Sequence, residues 1–99
     1  MKVLLVCNQG MSTGMLVERM KEFGDENDYV EAVPVTRISK VIEDFDVVLI
    51  GPQIRYKFDE INQVVQEHKK VVEMVEMSAY GMMDGKAVMA QAKALYEGR

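Results

Sequence analysis

The sequence predicts an α/β fold: one domain with a four-stranded parallel sheet, strand order 2-1-3-4, and helices on both faces of the sheet. Two observations predict this class. Four short apolar runs bounded by Gly, Pro or polar residues recur along the chain, and segments with helical spacing or polar composition separate them. Strands that alternate with helices are joined by right-handed crossovers, which make the sheet parallel and cover both of its faces. Residues 1–99 are enough for one core and are expected to form one domain.

Each element is predicted from its own residues. The first strand is Val3 to Val6, and the helix over about 12–23 places Leu16, Met20 and Phe23 at helical spacing opposite charged residues. The remaining elements, in chain order, are a strand from Val30 to Val35, a short helix near Ile38 to Glu43, a strand from Val47 to Ile50, a helix over about 54–67, a strand from Val71 to Val75 and a helix over about 85–97.

The strand order locates the expected binding site. The second strand alternates apolar residues with Glu31, which is typical of an edge strand. Strand 1 then lies between strands 2 and 3, and the winding direction reverses between strands 1 and 3. Open α/β sheets bind ligands at such a switch point, outside the carboxyl ends of the strands.

Cys7 is the only cysteine, and it stands where the first strand gives way to small and polar residues. A loop followed by a helix N-terminus binds anions, because the first N–H groups of a helix lack internal partners and its dipole favours negative charge. These features lower a thiol pKa from about 8.5 to roughly 3.5–7.5, so we expect Cys7 to be a nucleophile at neutral pH. The expected phosphate-binding residues are Asn8, Gln9, Gly10, Met11, Ser12, Thr13 and Gly14. The alternative interpretation is a small buried hydrophobic residue.

Within this loop, Gly10 and Gly14 are expected to let the backbone approach a phosphate without a Cβ in the way. The hydroxyls of Ser12 and Thr13 are expected to donate to phosphate oxygens. The same two residues also suit the N-cap of the helix, and the two roles are compatible.

Composition argues against several classes of function. The formal net charge is −4, with acidic and basic residues interspersed, which argues against a nucleic-acid surface. No apolar run is long enough to span a bilayer, and no signal peptide is expected at the start. A lone cysteine has no disulfide partner and favours a reducing cytoplasm. We expect neither a cofactor nor a metal.

Three motifs follow the first, third and fourth strands. They are Cys7 with Gly10-Met11-Ser12-Thr13, then Gly51-Pro52-Gln53-Ile54 with Tyr56, then Tyr80-Gly81 with Asp84-Gly85. In this order they resemble the IIB component of the bacterial sugar phosphotransferase system, in its lactose/cellobiose/chitobiose class, over essentially the whole chain. The resemblance implies that Cys7 accepts a phosphoryl group from a phosphohistidine of the IIA protein. It also implies transfer to a sugar such as a β-linked disaccharide held by the membrane component IIC, by a cytoplasmic protein that reaches the membrane through IIC.

The loops after strands 3 and 4 supply candidate partner contacts, which are Gln53, Arg55, Tyr56, Met82 and Met83. Arg55 lies across the switch point from Cys7, and we expect it either to shield the phosphoryl charge or to meet an acidic patch on a partner. Gln53 is expected either to orient its loop or to donate to the phosphoryl group. Flexible methionines suit a surface that must dock two partners in turn.

A small protein tyrosine phosphatase is the alternative function, since its Cys-x5-Arg loop occupies a similar place in a similar sheet. Thr13 stands where that arginine would be, so the loop lacks the guanidinium that stabilises hydrolysis. Asp84 is interpreted as the N-cap of the last helix instead of a general acid. His68 is interpreted as a solvated surface residue.

Overall fold

A computed structural model describes residues 1–7 and 11–99, with only the backbone described for residues 11 and 12. It confirms the predicted parallel sheet in the order β2-β1-β3-β4. The strands are β1 Lys2–Val6, β2 Tyr29–Val33, β3 Val47–Ile50 and β4 Val71–Met74. The helices are α1 Met11–Glu22, α2 Ile38–Val41, α3 Phe58–Glu67, α4 Met77–Gly81 and α5 Gly85–Glu97, and 3₁₀ turns occupy Val35–Arg37, Ile42–Asp44 and Pro52–Lys57. Within the described ranges, every helix is too short or too polar to cross a membrane.

The two central strands, β1 and β3, are buried on both faces. Because successive side chains of a strand point to opposite faces, Val3 and Leu5 pack in the layer that holds α1 and α5, whereas Leu4 and Val6 pack against α2 and α3. Each fully buried Val or Leu stabilises the fold by about 1.5–3 kcal/mol relative to an exposed one. The position of the residue that follows β1 is therefore set by the best-packed part of the molecule.

Two predicted boundaries differ from the structure. The second strand ends at Val33, two residues earlier than predicted, because Pro34 has no N–H for the sheet and a 3₁₀ turn begins at Val35. The edge position of this strand is confirmed. The prediction that Phe23 belongs to the apolar face of the first helix is wrong, since α1 ends at Glu22 and Phe23 is exposed.

The sequence predicts a loop after strand 4, but the structure forms the short helix α4 there. Its end is closed by Met83, which adopts a left-handed conformation with φ of 54°. The N–H of Met83 donates to the carbonyl of Tyr80, and the N–H of Asp84 donates to the carbonyl of Ala79. This pair of bonds is a Schellman ending. It leads directly into α5, where Asp84 Oδ1 accepts from the N–H of Ala87 at 3.0 Å, so the predicted N-cap is confirmed.

Helices α1 and α5 are in close contact at Gly85, the first residue of α5. A Cβ atom at this position would lie 2.6 Å from the backbone nitrogen of Met20 and closer still to the carbonyl of Arg19. Real Cβ atoms do not approach backbone so closely, so only glycine permits this separation of the two helices.

We expect Gly85→Ala to lower the free energy of unfolding by about 1–3 kcal/mol, because the clash is with backbone and no rotamer change relieves it. Gly14→Ala is the matched control: Gly14 lies in α1, and a Cβ there meets no described atom beyond its own helix within 4 Å. This control should raise the free energy of unfolding by about 0.5–1 kcal/mol, since alanine favours a helix more than glycine does. Urea unfolding measures both. Equal effects of the two substitutions would contradict the close crossing.

Candidate functional site

Cys7 follows β1 directly, and its backbone is held from both sides. Its N–H donates to the carbonyl of Val33 at 3.2 Å, and the N–H of Gly51 donates to the carbonyl of Val6 at 2.9 Å. The hydrogen bonding of the sheet therefore continues one residue beyond the ends of β1 and β3. Cys7 is a free cysteine, and only 1% of its surface is exposed.

Three chain segments meet beside Cys7. A Cβ atom at Gly51 would lie 3.4 Å from the Cβ of Cys7, 3.6 Å from the ring of Tyr80 and 3.1 Å from Oε1 of Gln53. The segments that follow β1, β3 and β4 thus come together at the carboxyl edge of the sheet, where the strand order predicts a binding site. Glycine at position 51 keeps the space between Cys7, Gln53 and Tyr80 open.

A cleft of about 550 Å³ opens next to this meeting point. Two of its walls come from the segments after β3 and β4. Its lining residues are Pro52, Gln53, Arg55, Tyr56, Met77, Tyr80 and Gly81. In the cleft, Nη1 of Arg55 lies 4.0 Å from Sδ of Met77. Among residues whose side chains the structure describes, Arg55 forms no ion pair, so its charge faces the cleft and solvent.

The expected low pKa of Cys7 is wrong for the structure described. Burial raises the pKa of the thiol, because a thiolate loses its hydration there, and the nearby hydroxyl of Thr13 opposes this effect only in part. Cys7 is therefore a neutral thiol at neutral pH. Its conversion to a thiolate has to accompany an event that changes its surroundings.

Thr13 contributes the most unusual polar group at the site. Its side chain is 3% exposed, and its hydroxyl makes no hydrogen bond of good geometry to any described atom. The expectation that Ser12 and Thr13 cap the helix is also wrong, because α1 begins at Met11 and both residues lie within its first turn. Buried hydroxyls are nearly always paired, so the Thr13 hydroxyl is available to a group that arrives at the thiol.

The other predicted site residues are partly described. Asn8, Gln9 and Gly10 lie outside the described residues, and Met11 and Ser12 are described only as backbone of α1. Gly14 is exposed, and a Cβ there would meet no described atom outside its own helix within 4 Å. Among the candidate partner contacts after strands 3 and 4, three line the cleft: Gln53, Arg55 and Tyr56. Met82 is exposed, and Met83 is half-buried at the turn before α5.

His68 is not the freely solvated residue that the sequence predicts. It is half-buried at the end of α3, and its Nδ1 contacts a carboxylate oxygen of Glu43. This contact holds the pKa of Glu43 below its ordinary value. His68 precedes β4 and so lies at the amino edge of the sheet, opposite the edge that carries Cys7.

Comparison with known proteins identifies the family. The family model described as "PTS system, Lactose/Cellobiose specific IIB subunit" matches residues 2–91. The chain belongs to this IIB family. It is therefore a sugar-specific EIIB component of the lactose/cellobiose type, that is, a phosphotransferase component.

Curated relatives of this IIB chain agree with the assignment. It is 38% identical over 97 residues to the oligo-beta-mannoside-specific EIIB component of Bacillus subtilis, an alignment that covers 95% of this chain and 94% of the relative. It is 31% identical over 101 residues to the cellobiose-specific EIIB component of Lactococcus lactis subsp. lactis, with 94% of each chain covered.

Solved structures of IIB proteins share the fold. The cellobiose-specific phosphotransferase IIB component of Borrelia burgdorferi has a TM-score of 0.83 and 35% identity, and the match covers 99% of this chain and 93% of that one. The lactose-specific IIB domain of Streptococcus pneumoniae has a TM-score of 0.82 with 14% identity, covering 97% of each chain, and this second likeness concerns the fold alone.

Sequence reasoning missed two residues of this IIB site. Tyr80 approaches Gly51 beside the thiol, and Met77 faces Arg55 across the cleft. Both belong to α4, the helix that the sequence does not predict. The available signal was the position of Tyr80-Gly81 just after β4, because the carboxyl ends of all four parallel strands meet at one edge.

A raised thiol pKa has a consequence for stability. A group whose pKa is higher in the folded chain than in the unfolded chain stabilises the fold below its unfolded pKa, and this contribution is lost as the pH rises through the folded pKa. We therefore expect the free energy of unfolding of the wild type to fall relative to that of Cys7→Ser above about pH 8.5, the ordinary thiol value. Urea unfolding of both proteins over an alkaline pH series measures the difference. A difference independent of pH would contradict the raised pKa.

Proposed function

We propose that Cys7 is the phosphoryl carrier of this IIB chain: it accepts a phosphoryl group from a phosphohistidine of IIA and passes it to a sugar bound by the membrane component IIC. One observation supports this role above the others. The lone cysteine is held at the end of β1, where the segments after β1, β3 and β4 meet, and beside it lies the hydroxyl of Thr13, which has no partner of good geometry among the described atoms. Of the described residues, Cys7 alone offers a thiol there.

The chemistry of acceptance follows from the neutral thiol. The sulfur of Cys7 attacks the phosphorus, the S–P bond forms and the P–N bond of the phosphohistidine breaks. The thiol proton goes to the histidine nitrogen that loses the phosphoryl group, so atoms and charge balance. A thiol that stays protonated until the donor docks is a poor nucleophile toward other electrophiles, because the thiolate is the reactive form. Burial thus restricts the reaction to the donor complex.

The phosphoryl group has hydrogen-bond donors available in this account. The N–H groups of Met11, Ser12 and Thr13, the first three residues of α1, have no acceptor within the helix, and the helix dipole favours a negative charge at this end. We assign these groups, the backbone of Asn8, Gln9 and Gly10, and the hydroxyls of Ser12 and Thr13 to the phosphoryl oxygens. The product carries a charge of about −1.5 to −2 if it titrates as other phosphoryl side chains do.

The acceptor is proposed to be a β-linked disaccharide or oligosaccharide. The names of two relatives specify oligo-beta-mannoside and cellobiose, which are both β-linked, whereas a third relative from Lactococcus lactis is named for galactose. The proposed location is the cytoplasm, with access to the membrane through IIC. IIC holds the sugar, so this chain needs no sugar pocket of its own.

Hydrolysis by a phosphatase-like reaction is less well supported. Thr13 occupies the position where a Cys-x5-Arg loop has its arginine, and a threonine hydroxyl supplies no cation for the equatorial oxygens. Asp84 does not serve as a free general acid, because its carboxylate accepts a hydrogen bond at the start of α5. A carrier benefits from both features, since its phosphocysteine must outlast the interval between two partners.

The fate of the phosphorylated protein tests the carrier role. We expect no appreciable turnover of an aryl phosphate by the purified chain, because the loop has neither the arginine nor the acid that hydrolysis needs. After phosphorylation by phospho-IIA, the phosphocysteine should persist near neutral pH and discharge rapidly when membranes with IIC and a β-linked disaccharide are added. Radiolabelled phosphate follows both steps. Sustained aryl phosphate hydrolysis that requires Cys7, with no partner present, would favour the phosphatase.

Arg55 is proposed to meet an acidic patch on IIA. Its guanidinium lines the cleft beside the thiol and is not paired with any described carboxylate. Unpaired surface charges steer encounters between proteins, and this effect falls with ionic strength. Gln53, Tyr56, Met82 and Met83 complete the proposed partner contacts.

Arg55→Ala should slow phosphoryl acceptance from phospho-IIA, and the ratio of wild-type to variant rates should be larger at low salt than at high salt. Arg99→Ala is the matched control, because Arg99 stacks on Tyr96 at the end of α5 near Val71, where β4 begins. It removes the same charge at the opposite edge of the sheet. Rapid-quench kinetics at two ionic strengths gives the ratios. Equal ratios for the two variants would show that Arg55 does not meet IIA and is an ordinary solvated cation.

A further inference from the structure

Met77 and Arg55 form a contact that the proposed phosphoryl transfer does not use. Met77 is 59% exposed on the first turn of α4, and its sulfur faces Nη1 of Arg55 at 4.0 Å. Both side chains line the cleft beside Cys7. Met15 and Met82 are also well exposed, but among the described residues no cationic side chain donates a hydrogen bond to the sulfur of either one.

The two kinds of sulfur at this site differ in their access to oxidants. Cys7 is 1% exposed, and oxidation of cysteine proceeds through the thiolate, which burial disfavours here. A thioether has no proton to lose, so its oxidation by peroxide depends on exposure. An oxidant that enters the cleft therefore meets Met77 before it meets the cysteine.

We propose that Met77 is a peroxide-modified site, and that its sulfoxide binds Arg55 and closes the cleft beside Cys7. In this step, hydrogen peroxide transfers one oxygen atom to Sδ of Met77. The sulfur is oxidised by two electrons, and the peroxide is reduced to water. Methionine sulfoxide is reduced back to methionine by methionine sulfoxide reductases, so the modification is reversible.

The sulfoxide changes the cleft in two ways. A thioether sulfur is a weak hydrogen-bond acceptor, whereas a sulfoxide oxygen is a strong one, and a bond to a guanidinium is charge-assisted. The oxygen replaces the loose contact between Sδ and Nη1 and fixes Arg55 across the cleft. The wall at Met77 also becomes polar, which disfavours an apolar partner surface. Arg55 keeps its charge, but its guanidinium is held by the sulfoxide and is no longer free to turn toward the phosphoryl donor; this last consequence alone depends on the proposed function.

Peroxide treatment of the full-length chain tests the site. Peptide mass spectrometry should find Met77 converted to sulfoxide while Cys7 still reacts fully with a thiol reagent after unfolding. The Arg55 side chain is followed by NMR of ¹⁵N-labelled arginine in Met82→Leu, which lacks the exposed sulfur of Met82. The Arg55 side-chain signals should shift and sharpen when this variant is oxidised. A sulfoxide reductase should reverse the shift. In Met77→Leu, which keeps an apolar wall but resists peroxide, the Arg55 signals should not move.

The rate of phosphoryl acceptance from phospho-IIA is compared before and after oxidation within each variant. Oxidation should reduce this rate in Met82→Leu and leave it unchanged in the double variant Met77→Leu/Met82→Leu, which also lacks the exposed sulfur of Met82. Oxidation of Cys7 before Met77, or Arg55 signals that do not respond when Met77 is a sulfoxide, would overturn the proposal. If the untreated chain accepts no phosphoryl group, the proposed function fails, and the mass-spectrometric and NMR results still decide whether Met77 is the site.

Discussion

The parallel pairing of β1 with β3 is the constraint on which the site depends. The ladder continues past both strands, because Gly51 donates to the carbonyl of Val6 and Val75 donates to the carbonyl of Ile50. These bonds align the carboxyl ends of β1, β3 and β4, so the three segments that follow emerge side by side. Cys7 cannot move without disturbing strands whose side chains are fully buried on both faces. A rigid central sheet thus positions the sulfur atom of Cys7, and the surrounding segments carry the residues that we propose as partner contacts.

Burial of the sulfur gives the site its chemical character. Desolvation raises the pKa of Cys7, so the resting protein carries a neutral thiol despite the helix N-terminus beyond it. The buried Thr13 hydroxyl lies in the same place without a described partner. In the proposed function, the incoming phosphoryl group accepts hydrogen bonds that the Cys7 thiol and the Thr13 hydroxyl otherwise lack. It also brings the negative charge that a helix N-terminus favours. A site that remains inactive alone would suit the proposed carrier role, in which Cys7 reacts only with its two partners.

Much of the architecture could be predicted from the sequence because it rests on strong periodic signals. The apolar runs that became β1 and β3 predict buried strands, and the order of elements predicts the switch point at Cys7. The helix α4 could not be predicted this way, because Met77–Gly81 is too short to show a helical period. The turn that closes it also depends on Met83, which adopts a left-handed conformation that methionine rarely adopts. The pKa of Cys7 was predicted in the wrong direction, because residue order reveals a helix N-terminus but not how deeply the folded chain buries the thiol.

The most direct measurement of the central claim is the location of the phosphoryl group after reaction with phosphohistidine-charged IIA. Phosphorus NMR of the charged protein, with peptide mapping at neutral to alkaline pH, distinguishes an S-linked group from an N-linked one. The account predicts a single S-linked phosphoryl group on the peptide that contains Cys7, and none on Cys7→Ser, which should still fold. Full phosphorylation of Cys7→Ser, or a phosphoryl group on His68, would contradict it.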